Sequence, residues 1–153
     1  MEIAVMTDGA SHRNGGMCGI GIHIIDTETK DVVQQISESI GEGTNTYAEY
    51  TAFIRGVQAA IQLCDKHAVT KVILLADSNL VVSQVGGNWK AAAGVAQYVK
   101  EAKRYVELLR RKAEVVIDHI PREYNTEADA LSTQACDKAV EQSVEEKYPF
   151  LSK

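Results

Sequence analysis

A chain of 153 residues fits one domain of ordinary size, long enough to bury a core without disulfide or metal staples. Its 45% hydrophobic and 24% charged residues exclude a disordered, collagenous or coiled-coil polypeptide, and no apolar run reaches the ~18 residues of a membrane-spanning helix. The net charge of −5, from 16 Lys and Arg against 21 Asp and Glu, argues against a protein that holds nucleic acid by phosphate neutralisation alone.

In chain order, residues 3–7 are a short apolar run with the pattern of a buried strand, and residues 9–16 read as a polar, glycine-rich turn. Ile20, Ile22 and Ile24 alternate with small or polar residues across 18–25, which is strand periodicity. Residues 26–31 form a turn, and 32–40 the next strand of a hairpin meander, closed by Gly41, Glu42 and Gly43. Over 46–66 the period becomes helical. Ala48, Ala52, Phe53, Val57, Ala60, Ile61 and Cys64 share one stripe, and Asn45 or Thr46 is placed to cap the start. Residues 72–76 read as a strand buried on both faces, followed by a short helix over 79–85 that Gly86 and Gly87 end. A second long amphipathic helix covers 95–112, with Val95, Val99, Ala102, Val106 and Leu109 inward; 115–120 is a strand and 126–142 a final helix.

No linker or repeat divides the chain, so one domain over 1–142 with a charged tail over 143–153 is expected. An antiparallel meander followed by βαβ units implies an α/β fold, a mixed five-stranded sheet with helices on both faces. Cys18, Cys64 and Cys136 are odd in number and form no CxxC pair. Free thiols are expected, and with an N-terminus that lacks the features of a secretory leader they point to the cytoplasm.

Acids fall at strand ends in three places, Asp8, Asp77 and Asp118, and in first helical turns at Glu49 and Asp129. If the strands before Asp8 and Asp77 are parallel neighbours, both carboxylates emerge at one sheet edge, where α/β sheets bind ligands. Any one such acid is ordinarily a turn former or a helix cap. Several converging acids repel one another unless a hard cation neutralises them, and oxygen ligands suit Mg²⁺ or Mn²⁺.

Four blocks, TDGASHRNGG at 7–16, TNTYAEYTAFIRGVQAA at 44–60, LLADSNLVVSQVGGNWK at 74–90 and HIPREYNTEADALSTQA at 119–135, together resemble ribonuclease H of type 1. Order and spacing match that family from residue 1 to about 140. The resemblance implies the ribonuclease H-like fold with strand order 3-2-1-4-5. It also implies hydrolysis of the RNA strand of RNA–DNA hybrids, leaving 5′-phosphate and 3′-hydroxyl ends. It places the metal-binding and catalytic carboxylates at Asp8, Glu49, Asp77 and Asp129, with two Mg²⁺ ions per site (Mn²⁺ as a substitute) roughly 3.5–4 Å apart. In that family pattern Asp8 bridges both ions, Asp129 holds the ion on the attacking water, and Glu49 and Asp77 hold the other.

The resemblance further implies that His119, ten residues before Asp129, handles protons and product release. It implies that Asn14, Asn45 and Asn79 read RNA 2′-hydroxyls, the groups that separate RNA from DNA. Thr44 matches a pocket for a DNA-strand phosphate, and Trp89 an aromatic floor under that strand; Thr46 stands where the family often has Asn. Only residues 86–97 separate the Asp77 block from the next helix, too few for the basic handle of many bacterial relatives, which places the chain in a handle-less branch. Positive charge gathers instead at Lys90, Lys100, Lys103, Arg104, Arg110, Arg111 and Lys112, a substrate rail or a solvated face. Two bound divalent ions would offset most of the acidic balance. The expectation is a monomeric enzyme acting on RNA–DNA hybrids, with no membrane and no obligate protein partner. The rival readings are a non-catalytic nucleic-acid-binding homologue and a protein-interaction module.

Overall fold

The computed structural model describes residues 1–87 and 94–152. Strands β1 (Glu2–Ser11), β2 (Met17–Asp26) and β3 (Val32–Glu42) form the antiparallel meander, and β4 (Lys71–Ala76) and β5 (Glu114–His119) extend it in parallel with β1. The sheet order is β3-β2-β1-β4-β5, as the resemblance implied. Helices are α1 (Asn45–Lys66), α2 (Asn79–Gly86), α3 (Ala96–Arg110) and α4 (Thr126–Lys147).

One sheet face carries the large side chains. Ile3 and Val5 of β1, Ile20, Ile22 and Ile24 of β2, and Val72 and Leu74 of β4 form one core with Phe53, Val57 and Ala60 of α1. Val99, Ala102, Val106 and Leu109 of α3 join it. On the other face α4 lies over β1, β2 and β3. It buries only small residues there: Ala128, Ser132, Ala135, Cys136 and Ala139. That arrangement corrects the reading of β4 as buried on both faces. Val72, Leu74 and Ala76 are buried, whereas Ile73 and Leu75 point to the α4 face beyond that helix and are half-buried.

Three further expectations shift. The turn expected over 9–16 shrinks, because Gly9, Ala10 and Ser11 remain paired with Ile20, Gly19 and Cys18 in β1–β2; only a 3-10 turn at His12–Asn14 reverses the chain. The cap of α1 is neither Asn45 nor Thr46 but Thr44, whose Oγ1 accepts the Tyr47 N–H at 3.1 Å. Helix α4 continues past residue 142 to Lys147, since no breaker precedes Pro149, which stops it and starts a short 3-10 turn. All three cysteines are free thiols, Cys18 and Cys136 buried and Cys64 half-buried.

Candidate active site

Parallel pairing of β1 with β4 runs to Thr7 opposite Ala76, so the next residue of each strand, Asp8 and Asp77, leaves the sheet at the same edge. Two glycines then bring helices to that edge. Gly9 follows Asp8 on the α1 face, and a Cβ there would collide with the Ala48 carbonyl and the Glu49 N–H. Its absence lets the first turn of α1 rest on the strand and delivers Glu49. Gly21 stands directly opposite Asp8 in β2, and a Cβ there would collide with the Ala128 carbonyl. Its absence delivers the first turn of α4 and with it Asp129.

The result is a groove of about 360 Å³ lined by Asp8, Glu49, Asp77 and Asp129, with Asn45 and Arg122 at its walls. One carboxylate oxygen each from Asp8, Glu49 and Asp77 lies within 4.8 Å of the others. Asp129 shares the groove but stands outside that tight triad, where Arg122 reaches it at 3.7 Å. Asp8 Oδ1 accepts the Gly9 N–H at 3.0 Å, and Ser132 Oγ lies 3.5 Å from Asp8 Oδ2 while donating to Asp129 O at 2.9 Å.

The electrostatics follow from that crowding. Burial, then the charge of Asp77 and the hydrogen bond and charge of Asp129, push the Asp8 carboxyl up to about 8, against the weaker pull of the Gly9 N–H. Burial also raises Glu49, aided by Asp77 and opposed by a Ser78 hydrogen bond and the Arg122 charge. Arg122 is 79% exposed in its side chain and neutralises little. A set of hard oxygen donors that hold back each other's ionisation fits a divalent cation of the Mg²⁺ or Mn²⁺ kind, with Asp8, Glu49, Asp77 and Asp129 as the residues to hold it.

His119, exposed at the end of β5, places Nε2 3.2 Å from Asp77 O; the carbonyl can only accept, so Nε2 carries the proton. Asn14 and Asn45 come together beside the groove: Asn45 N–H donates to Asn14 Oδ1 at 2.9 Å, and Ser11 N–H to Asn45 Oδ1 at 3.1 Å. Asn79 opens α2 on the Asp77 side, and Thr44 is exposed next to Asn45. Trp89 and Lys90 lie outside the described residues.

Residues not singled out from sequence also shape the site: Ser78, Ser132, Arg122, Asn125 and the two glycines. Each is an ordinary turn, cap or surface residue by type, so only the fold reveals its neighbour. Asn45 Oδ1 accepts the Ser11 N–H, which leaves the amide nitrogen as its other polar group. If the chain has the activity the resemblance implies, Asn45→Ala and Asn79→Ala should each slow hybrid cleavage about tenfold, the worth of roughly one hydrogen bond, with circular dichroism unchanged. Wild-type rates in both variants would remove them from sugar recognition.

Comparison with known proteins agrees with this geometry. A family profile described as reverse transcriptase-like matches residues 6–135. Ribonuclease HI of Halobacterium salinarum is 33% identical over 132 residues, covering 86% of this chain and 63% of that protein. A bifunctional protein of Mycobacterium tuberculosis is 30% identical over 150 residues, 97% of this chain, which spans 39% of that relative's length. The structure of LC11-RNase H1 from compost, in complex with an RNA/DNA hybrid, superposes with a TM-score of 0.77 at 35% identity, covering 90% of this chain and 99% of that one. With its fold, its four-acid groove and these matches, the chain belongs to the ribonuclease H type 1 group of the reverse transcriptase-like family.

Proposed function

We propose that this chain hydrolyses the RNA strand of RNA–DNA hybrids, leaving 5′-phosphate and 3′-hydroxyl ends, with Mg²⁺ as its resident ion and Mn²⁺ able to replace it. The observation that carries the reading is the convergence of Asp8, Glu49 and Asp77 within 4.8 Å, beside Asp129. Divalent ions bound there would supply an activated water and charge stabilisation at the leaving oxygen. The protein's own residues do the rest. Asp8, fixed by Gly9 N–H at the rim of the sheet, is the acid around which the other three are arranged. Asn45 lines the groove and is bonded to Asn14, and Asn79 begins α2 two residues after Asp77; in this reading the three sort ribose from deoxyribose. His119, held on the Asp77 carbonyl, would take and release protons as product leaves.

The protein acts in this proposal as a cytoplasmic monomer. Three free thiols support a reducing compartment, and no helix among the described residues is long and apolar enough to cross a membrane. The deciding assay incubates labelled hybrid, duplex DNA and duplex RNA with Mg²⁺ or Mn²⁺. Cleavage confined to the RNA strand of the hybrid is expected; an intact hybrid with either ion would sink the enzyme reading and leave a binding module.

Grip on the hybrid is expected to be weak and only mildly salt-sensitive. Of the cations on α3 and just after it, Arg110 donates to Val115 O, Lys112 pairs with Asp65 and Arg104 lies over the Tyr105 ring, so only part of that charge can reach phosphates. A plot of log affinity against log salt should have a slope shallower than about −4, fewer than ~5 phosphate contacts. A slope as steep as that of a strongly basic binder would contradict this.

A further inference from the structure

Asn125 stands immediately before α4, where an Asn ordinarily turns its side-chain oxygen onto the N–H groups of the first helical turn. No such cap bond forms. The side chain runs inward instead, 1% exposed, and Nδ2 donates to Thr7 O at 2.9 Å and to Asp77 Oδ2 at 3.2 Å. Its Oδ1 is buried, with no hydrogen-bond partner among the described residues. A cap has been forgone and an acceptor left unsatisfied, both unfavourable to folding on their own account. The orientation of the amide is nevertheless fixed. Both groups it meets are acceptors, so a rotated amide would set oxygen against oxygen.

What the arrangement gains lies at the edge of the sheet. The β1–β4 pairing ends at Thr7 and Ala76, one residue before Asp8 and Asp77. Asn125 spans the place where the two strands part, touching the peptide that leads into Asp8 and the carboxylate of Asp77. Its own carbonyl accepts the Asp129 N–H at 3.0 Å. One residue therefore joins β1, β4 and α4 at three of the four acids.

We propose that Asn125 is a positioning residue for the acidic site: its amide fixes the Asp77 carboxylate against β1, in the orientation that brings an Asp77 oxygen within reach of Asp8 and Glu49. It touches neither substrate nor reacting atoms and acts through Asp77. The activity arm of the test rests on the hydrolytic reading above, whereas the ion-binding arm does not.

The test measures Mg²⁺ affinity by calorimetry, with kcat and KM on a hybrid, for the wild type, Asn125→Ala and Asn125→Asp. Losing the support of a ligand's partner is expected to weaken Mg²⁺ binding about 10–100-fold, most in Asn125→Asp, which sets a carboxylate against Asp77. The kcat should fall with it and recover in part at raised Mg²⁺, while KM for the hybrid changes less than about threefold. A purely structural role predicts lower thermal stability with unchanged Mg²⁺ affinity below the melting point; that result would overturn the assignment. Should the variants not fold, the wild type alone decides. The Asn125 side-chain amide resonances should shift on Mg²⁺ titration, and resonances that stay fixed while Mg²⁺ binds would refute the proposal. Wild type that binds Mg²⁺ with these effects yet leaves hybrids intact would overturn the hydrolytic reading and keep Asn125 as proposed.

Discussion

Asp8→Asn is expected to lower hybrid cleavage by more than about 10³-fold, ~4 kcal/mol of barrier, while raising metal-free stability by roughly 1–2 kcal/mol. The exchange keeps the shape and retains an oxygen for the Gly9 N–H, and it removes a carboxyl whose ionisation the crowded acidic edge resists. The linkage fixes its pH dependence. In the folded metal-free chain burial first, and then Asp77 and Asp129, push the Asp8 carboxyl up to about 8, against ~3.9 for an unperturbed Asp. The folded state thus binds a proton that the unfolded state has released. Stability from this group is complete below pH ~4 and is lost as pH rises towards 8. Metal-free wild type should lose stability across that window and Asp8→Asn much less of it. Mg²⁺ should restore the wild type by mass action and stabilise the variant far less. Thermal unfolding at pH 5 and pH 8, with and without Mg²⁺, reads all of this. A variant less stable than wild type without metal, or one that cleaves normally, would make Asp8 a structural cap.

Gly21→Ala carries the second large effect. The added methyl would meet the Ala128 carbonyl and the Ser132 N–H, main-chain groups that cannot rotate away, so α4 must lift off β2. Overpacking of this kind costs ~1–3 kcal/mol, and here the top of that range is expected. Because Asp129 is the residue after Ala128, the shift also displaces a carboxylate. Cleavage should therefore fall at least tenfold even at temperatures where the variant is fully folded. Gly15→Ala serves as the comparison, since a Cβ there meets nothing within 4 Å. Denaturant unfolding with single-turnover cleavage is the measurement, and a Gly21→Ala protein of wild-type stability and rate would show that α4 has slack against the sheet.

Sequence patterning conveyed most of the architecture, for identifiable reasons. The Ile20, Ile22, Ile24 alternation and the apolar stripe of α1 face one large-side-chain core, where burial and period coincide. The strand-end acids were legible because short apolar runs stop abruptly at Asp8 and Asp77. The other face left little trace. Helix α4 contacts the sheet through Ala, Ser and Cys, so its pattern says little about which side is inward. Gly9 reads as part of a turn and Gly21 as a small strand residue, yet both matter because a helix main chain occupies the missing Cβ volume. Asn125, the residue before α4, is not singled out from sequence, and only its inward rotamer exposes its link to Asp77.

That division between the two faces bears on how this scaffold can be redesigned. On the face covered by α1 and α3, branched aliphatic core residues can be exchanged and repacked at conserved volume, provided Gly9 is kept, because the first turn of α1 that carries Glu49 rests on it. Under α4, the distance from Asp129 to Asp8 is set by main chain resting on main chain, and every added methyl becomes a spacer between them. Thermostabilising substitutions are best confined to the first side. Deliberate changes to the separation of the acids, and so to the ion they select, have their adjustment points at Gly19, Gly21 and the small residues facing them.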